Sequence, residues 1–237
     1  MNHASLFSGI GGFDLAAQWM GWNNSFQCEI DPFCNQVLEH HFPTTTRYGD
    51  IRDIDGTEWR DKIDILTGGF PCQPFSAAGK RRGTEDNRFL WPEMLRVICE
   101  VQPTWVIAEN VRGITSIDNG MVFERVCADL EENEYEVQPF CIPACAVNAP
   151  HRRERVWIVA TNNRGERKQG VRSDKIQGEQ GLQRSKDERR IKDLRDRPDL
   201  YASKLCRSRH GISERLDACG NAIVPAVAYQ IFQSIPV

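Results

Sequence analysis

Of the nine cysteines in this 237-residue chain, Cys72 is set apart by its neighbours. In GGFPCQPFS it stands between Pro71 and Pro74, just after the expected strand IDILT, with Gly68 and Gly69 clearing space before it. Proline suits neither strand nor helix interiors. The thiol is therefore expected on a rigid loop at a strand end, not in a core where cysteine acts as a small hydrophobe. With an ordinary pKa of about 8.5, a few per cent of such a thiol is thiolate at neutral pH, enough for a nucleophile. The other eight cysteines are scattered without a CxxC pair. They are read as small buried hydrophobes in a reducing, intracellular protein without structural disulfides or a metal site.

Two further segments carry chemistry. In WVIAENV, Glu109 follows four apolar residues and is expected at the carboxyl end of a strand. A partly buried carboxyl there could have a raised pKa and give up a proton, or it could simply cap the next helix. In APHRRERVWIVA, Arg153 and Arg155 lie two apart, so on an extended segment they share one face. That face could present two guanidinium groups to a carbonyl or phosphate oxygen, with Arg152 and Glu154 pointing the other way. A charged edge strand would give the same pattern. After Cys72, Gly79 and Gly83 flank Lys80, Arg81 and Arg82, a basic loop that could close over a phosphate backbone.

A ligand site is expected near the start. LFSGIGGFDLAAQ is an apolar strand, a glycine-rich turn and an amphipathic helix. Gly9, Gly11 and Gly12 allow a sharp turn and close approach of a ligand to the backbone. Glu29 falls at the end of the next expected strand, where a carboxylate can hold the two hydroxyls of a ribose. Asp50, in YGDI, could accept a hydrogen bond from an adenine amino group. Together these suit a nucleoside-bearing cofactor. The spacing G-x-G-G, rather than G-x-G-x-x-G, makes a dinucleotide less natural.

The elements that must position these residues alternate. Strands are expected at Ala4–Phe7, Ser25–Glu29, Ile63–Thr67, Trp105–Ala108 and Val156–Ala160. Helices are expected at Phe13–Met20, Pro32–His41, Pro92–Val101 and Met121–Asn133. Such alternation indicates a mostly parallel sheet covered on both faces, which binds ligands at the carboxyl ends of its strands. From Asn162 to about Leu205 the apolar periodicity fades. It returns at Leu216–Phe232, a helix or helical hairpin broken by Pro225.

The net charge of −3 is unevenly spread. Residues 163–215 hold 16 Lys+Arg and 9 Asp+Glu, a net of +7, which leaves the rest at −10. An acidic body with one basic segment suits a polyanion held on one side, although a solvated linker would share that composition. No apolar run approaches the roughly 18 residues of a membrane helix. The start, MNHASLF, lacks the pattern of an export signal. A cytoplasmic protein without membrane contact is expected.

In this order, the segments resemble the DNA (cytosine-5)-methyltransferases, specifically compact bacterial or phage-type members. The resemblance covers residues 3–160 and 205–233. FSGIGG resembles the turn that binds S-adenosylmethionine, GGFPCQPFS the nucleophile loop, and ENV the motif whose glutamate engages cytosine N3. HRRER is similar to a pattern written Q-x-R-x-R, although His151 stands where the family usually has glutamine. GNAIVP resembles the last motif, whose asparagine, here Asn221, returns to the cofactor pocket.

The resemblance implies a Rossmann-like α/β methyltransferase fold with a small irregular target-recognition region. It implies a catalytic domain over 1–161, a short basic recognition region over 162–209 and a helical return over 210–237. Cys72, Glu109, Arg153 and Arg155 would be catalytic. Phe7, Gly9, Ile10, Gly11 and Gly12 would contact the cofactor from the turn. Glu29, Ile30, Asp50 and Ile51 would do so from the next two strand ends, and Pro71, Leu90, Asn221 and Ile223 from later segments. Gln73, Ser76, Lys80, Arg81 and Arg82 would touch DNA. The implied partner is double-stranded DNA, bound by a monomer, with a cognate restriction endonuclease as a candidate companion.

Three rivals remain at this point. A tRNA cytosine-5 methyltransferase of the same superfamily is disfavoured because no CFT tripeptide occurs and PCQPFS lacks that branch's neighbours. A non-catalytic DNA-binding relative would not need the chemical residues. A nicotinamide oxidoreductase would leave Cys72, Glu109 and the arginine pair without roles.

Overall fold

The computed structural model describes residues 1–71, 89–162 and 218–236. Seven strands form one sheet: β1 (Asn2–Leu6), β2 (Asn23–Cys28), β3 (Thr46–Tyr48), β4 (Ile65–Gly68), β5 (Trp105–Val111), β6 (Glu136–Pro143) and β7 (Glu154–Thr161). Their order is β3-β2-β1-β4-β5-β7-β6. The first five run parallel, and β7 lies antiparallel between β5 and β6. The helices are α1 (Gly12–Trp19), α2 (Pro32–His41), α3 (Trp91–Val101), α4 (Met121–Glu132) and α5 (Pro225–Gln233).

Alternation along the strands feeds two cores, because successive side chains point to opposite faces. Ala4, Leu6, Leu66, Val106, Ala108 and Ile158 pack on one face with Met94, Val97 and Ile98 of α3 and Val126 and Leu130 of α4. Ile65, Ile107 and Trp157 pack on the other with Phe13, Ala16 and Ala17 of α1 and Val227, Ala228 and Phe232 of α5. The Trp91 indole N–H donates to Asp129 at 2.8 Å and ties α3 to α4. Local signals set the helix starts. Asp31 caps α2 by accepting from the Cys34 N–H at 2.8 Å, and Pro32 occupies its first turn.

The expected sheet is present, with two additions. β3 is only three residues long and β6 is largely exposed, so neither carries a sustained apolar pattern. The second difference touches function. Glu109 is not at the end of β5 but within it, because β5 continues to Val111 by pairing with β7. β4 stops opposite Ala108 at Gly68, so Glu109 lies just past the end of the parallel neighbour. Nor are the arginines on an edge: β7 is interior, and β6 takes the edge.

Candidate active site

The glycine turn follows β1 at the carboxyl end of the sheet. Phe7, Gly9 and Gly11 all have positive φ (53°, 55° and 85°), so the chain doubles back sharply before α1. At Gly11 a side chain would also run into Phe42, whose Cε2 would lie 2.7 Å from a Cβ. Beneath the turn lies a buried polar network. Ser5 Oγ donates to Asp14 and stands 2.7 Å from Ser8 Oγ. His3 bridges Asn24 at 2.7 Å and Thr67 at 2.9 Å. Burial pushes the Asp14 carboxyl up and the His3 imidazole down from their ordinary pKa values. No sequence pattern singled this network out; Asp14 and His3 could have drawn notice only as polar residues in core-facing positions.

Glu29 follows β2 and faces the turn. Its Oε2 accepts the Gly9 N–H at 2.7 Å and its Oε1 the Asp31 N–H at 2.8 Å. Beside it Ile30 is 67% exposed, a large apolar side chain left uncovered next to a fixed carboxylate. That pairing fits a nucleoside: hydroxyls for the carboxylate, a flat base for the isoleucine. Asp50 precedes a short 3-10 turn, and its two oxygens accept from Arg52 Nε at 3.0 Å and Nη2 at 2.9 Å. Arg52 holds the Asp50 carboxyl below the usual carboxylate range. Arg52 is half exposed and Asp50 partly so, so a ligand amine can compete for the carboxylate at low cost. Ile51 is buried in the main core, where its side chain packs against protein. Arg96 of α3 fixes this turn by donating to the Ile51 and Ile54 carbonyls at 2.8 and 2.9 Å.

Glu109 forms the second centre. It is 8% exposed, and burial pushes its carboxyl up to about 7. Arg155 opposes that shift through an ion pair, Nε to Oε1 at 2.9 Å. Glu154 faces away, pairing with Arg112 and Arg152. The two arginines of the motif thus diverge in use. Arg153 precedes β7 with a positive φ of 34° and donates to the Gly220 carbonyl, and to that of Ala222 at 2.8 Å.

The start of the cysteine loop meets this centre. Asn110 Nδ2 donates to the Phe70 carbonyl at 2.8 Å. A Cβ on Gly69 would sit 3.2 Å from Glu109 Oε2 and 3.6 Å from Ile223 Cδ1. Residues 218–221 are helical and lead through 222–224 into α5. Asn221 is exposed, Ile223 is half-buried against Gly12, and Ile10, Pro71 and Leu90 are half-buried. Cys72, Gln73, Ser76, Lys80, Arg81 and Arg82 lie outside the described residues, as does most of the basic segment. Among the seven described cysteines, Cys141, Cys145 and Cys219 are exposed, contrary to the expectation of burial. Cys28 and Cys34 are buried, and that burial pushes both thiols up to about 12, leaving them poor nucleophiles.

A sheet of this order, with a glycine turn after β1 and a carboxylate after β2, is the Rossmann-like fold of the methyltransferases. The chain belongs to the C-5 cytosine-specific DNA methylase family, whose family model matches residues 1–214. It is 37% identical over 161 residues to the type II methyltransferase M.Eco47II of Escherichia coli, covering 67% of this chain and 39% of that one. It is 35% identical over 159 residues to M.HhaI of Haemophilus parahaemolyticus, covering 67% and 48%. The chain thus spans about half or less of these relatives' length. Among solved structures, a DNMT2 mutant of Spodoptera frugiperda matches 69% of this chain and 50% of its own, at TM-score 0.59 and 25% identity. The S. pombe Dnmt2 methyltransferase shares the fold across 98% and 97%, at TM-score 0.68 and 16% identity.

Proposed function

We propose that this chain transfers a methyl group from S-adenosylmethionine to carbon 5 of cytosine in double-stranded DNA, through covalent addition of Cys72 to carbon 6. The observation that carries this is the pair of buried Glu109 with Arg155, standing against Gly69, three residues before Cys72. Glu29, Ile30, Asp50 and the turn from Phe7 to Gly12 would hold the cofactor, with Ile223 packed behind Gly12. Bound there, it supplies an electrophilic methyl group.

The residues of this chain do the rest. Carbon 5 of cytosine is a poor nucleophile. Addition of the Cys72 thiolate at carbon 6, with Glu109 giving a hydrogen bond or proton to N3, pushes electron density onto carbon 5. A carboxyl titrating near 7 is partly protonated at neutral pH, which suits that role. Arg155 keeps the carboxyl oriented and would hold the exocyclic oxygen of the base. Loss of the carbon-5 proton after methylation expels Cys72. A stacked base cannot reach this site, so it must be flipped out at a cost of a few kcal/mol. Contacts from Lys80, Arg81, Arg82 and the basic segment at 162–209 with phosphates would offset that cost. A monomer suffices for the chemistry.

Methyl incorporation from labelled S-adenosylmethionine into unmethylated duplex DNA tests the proposal. Wild type is expected to label cytosine, and Cys72→Ser to label nothing. A wild type that binds cofactor and DNA but transfers no methyl group would favour a non-catalytic relative.

A further inference from the structure

The sequence pairs Arg153 with Arg155 on one face, as though both served the target base. Their side chains do different things. Arg155 pairs with Glu109. Arg153 spans to the other end of the chain, where its two terminal nitrogens donate to the carbonyls of Gly220 and Ala222, flanking Asn221. One rigid guanidinium fork thereby fixes two carbonyls two residues apart, a geometry a lysine ammonium cannot reproduce.

The fixed segment is itself a keystone. Its next residue, Ile223, lies so close to the cofactor turn that a Cβ on Gly12 would meet the Ile223 carbonyl oxygen at 2.7 Å and its Cβ at 2.8 Å. The Ile223 side chain also reaches Gly69, before the cysteine loop. Arg153 holds its own backbone in the left-handed region, at φ 34°, which an L residue adopts only where its surroundings enforce it.

We propose that Arg153 is a positioning residue that fastens residues 220–223 against the glycine turn, and so sets the affinity for the S-adenosyl ligand rather than contacting the target cytosine. This rests on the cofactor assignment made above.

The test compares wild type with Arg153→Ala, Arg153→Lys, Ile223→Ala and the Arg153→Ala, Ile223→Ala double variant. S-adenosylhomocysteine binding is measured by calorimetry without DNA, and amide exchange is followed in peptides covering 218–224. Arg153→Ala is expected to raise the dissociation constant at least tenfold, about 1.4 kcal/mol, and to speed exchange in those peptides. Arg153→Lys should recover only part of the loss. The loss of activity should appear mainly as a raised KM for S-adenosylmethionine, larger than any fall in kcat. The Arg153→Ala and Ile223→Ala effects on affinity should combine to less than their sum, since both act through one segment. An unchanged dissociation constant with a raised KM for DNA would overturn the inference and return Arg153 to the base. Unchanged exchange in 218–224 would overturn it as well. If wild type binds no S-adenosylhomocysteine, the cofactor assignment fails, while exchange in the variants still decides whether the clamp exists. Should Arg153→Ala fail to fold, the lysine variant carries the same comparison.

Discussion

Glu109 offers a sharp test because its burial has a sign and a size. An unfolded glutamate titrates near 4.5, and the folded one is pushed up to about 7. The folded state therefore holds a proton more tightly than the unfolded state between those values. The stability this contributes is complete below about 4.5 and is lost as pH rises through 7. At 1.36 kcal/mol for each pKa unit, the loss between pH 5 and pH 8 comes to about 2.5 kcal/mol. Glu109→Gln removes the titration and keeps the shape. It also leaves Arg155 without its carboxylate, but that cost does not vary over this range. The measurement is urea unfolding of both proteins at several pH values. The difference in unfolding free energy should move in favour of the glutamine variant by about 2.5 kcal/mol from pH 5 to pH 8. Arg155→Gln should push the Glu109 midpoint higher still, because it removes the largest opposing charge. A wild-type and Glu109→Gln difference that stays constant with pH would show that Glu109 titrates as an ordinary glutamate. The proton-donor role would then lose its physical basis.

Two further substitutions probe the packing around the site. Gly12→Ala would drive a methyl group into the Ile223 backbone; it should cost about 1–3 kcal/mol of stability and weaken S-adenosylhomocysteine binding, both read from thermal melts with and without ligand. Asn110→Ala frees the buried Phe70 carbonyl at the root of the cysteine loop, a loss of roughly 1–3 kcal/mol. It should lower kcat about 10- to 100-fold while leaving S-adenosylhomocysteine affinity unchanged, as single-turnover kinetics and calorimetry would report.

Much of this protein is legible in its sequence because the signals are local. The turn FSGIGG needs glycines wherever it occurs, since positive φ is a property of single residues. Pro32 behind Asp31 is a local helix-start signal, and Ile65 and Leu66, adjacent apolar residues that point to opposite faces of a strand, call for burial on both. These fix the strand–helix alternation and, with it, the edge of the sheet where Glu29 and the Cys72 loop emerge. The short β3 and exposed β6 lacked such a signal, because edge strands need little apolar surface.

What the tertiary structure decided are the pairings across long separations. Whether Glu109 is a helix cap or a buried acid depends on β7 extending β5 past Ala108, which no spacing within WVIAENV reveals. Two arginines two residues apart look equivalent on a strand. One meets Glu109 and the other reaches Gly220 and Ala222, because Arg153 precedes the strand and its positive φ breaks the alternation. The Ser5, Asp14 and His3 network is equally silent in the sequence, since its polar atoms find partners only when β1, α1 and β4 come together. Residue types set which chemistry is available here; the burial and the partners that tune it arise only from contacts between segments far apart in the chain.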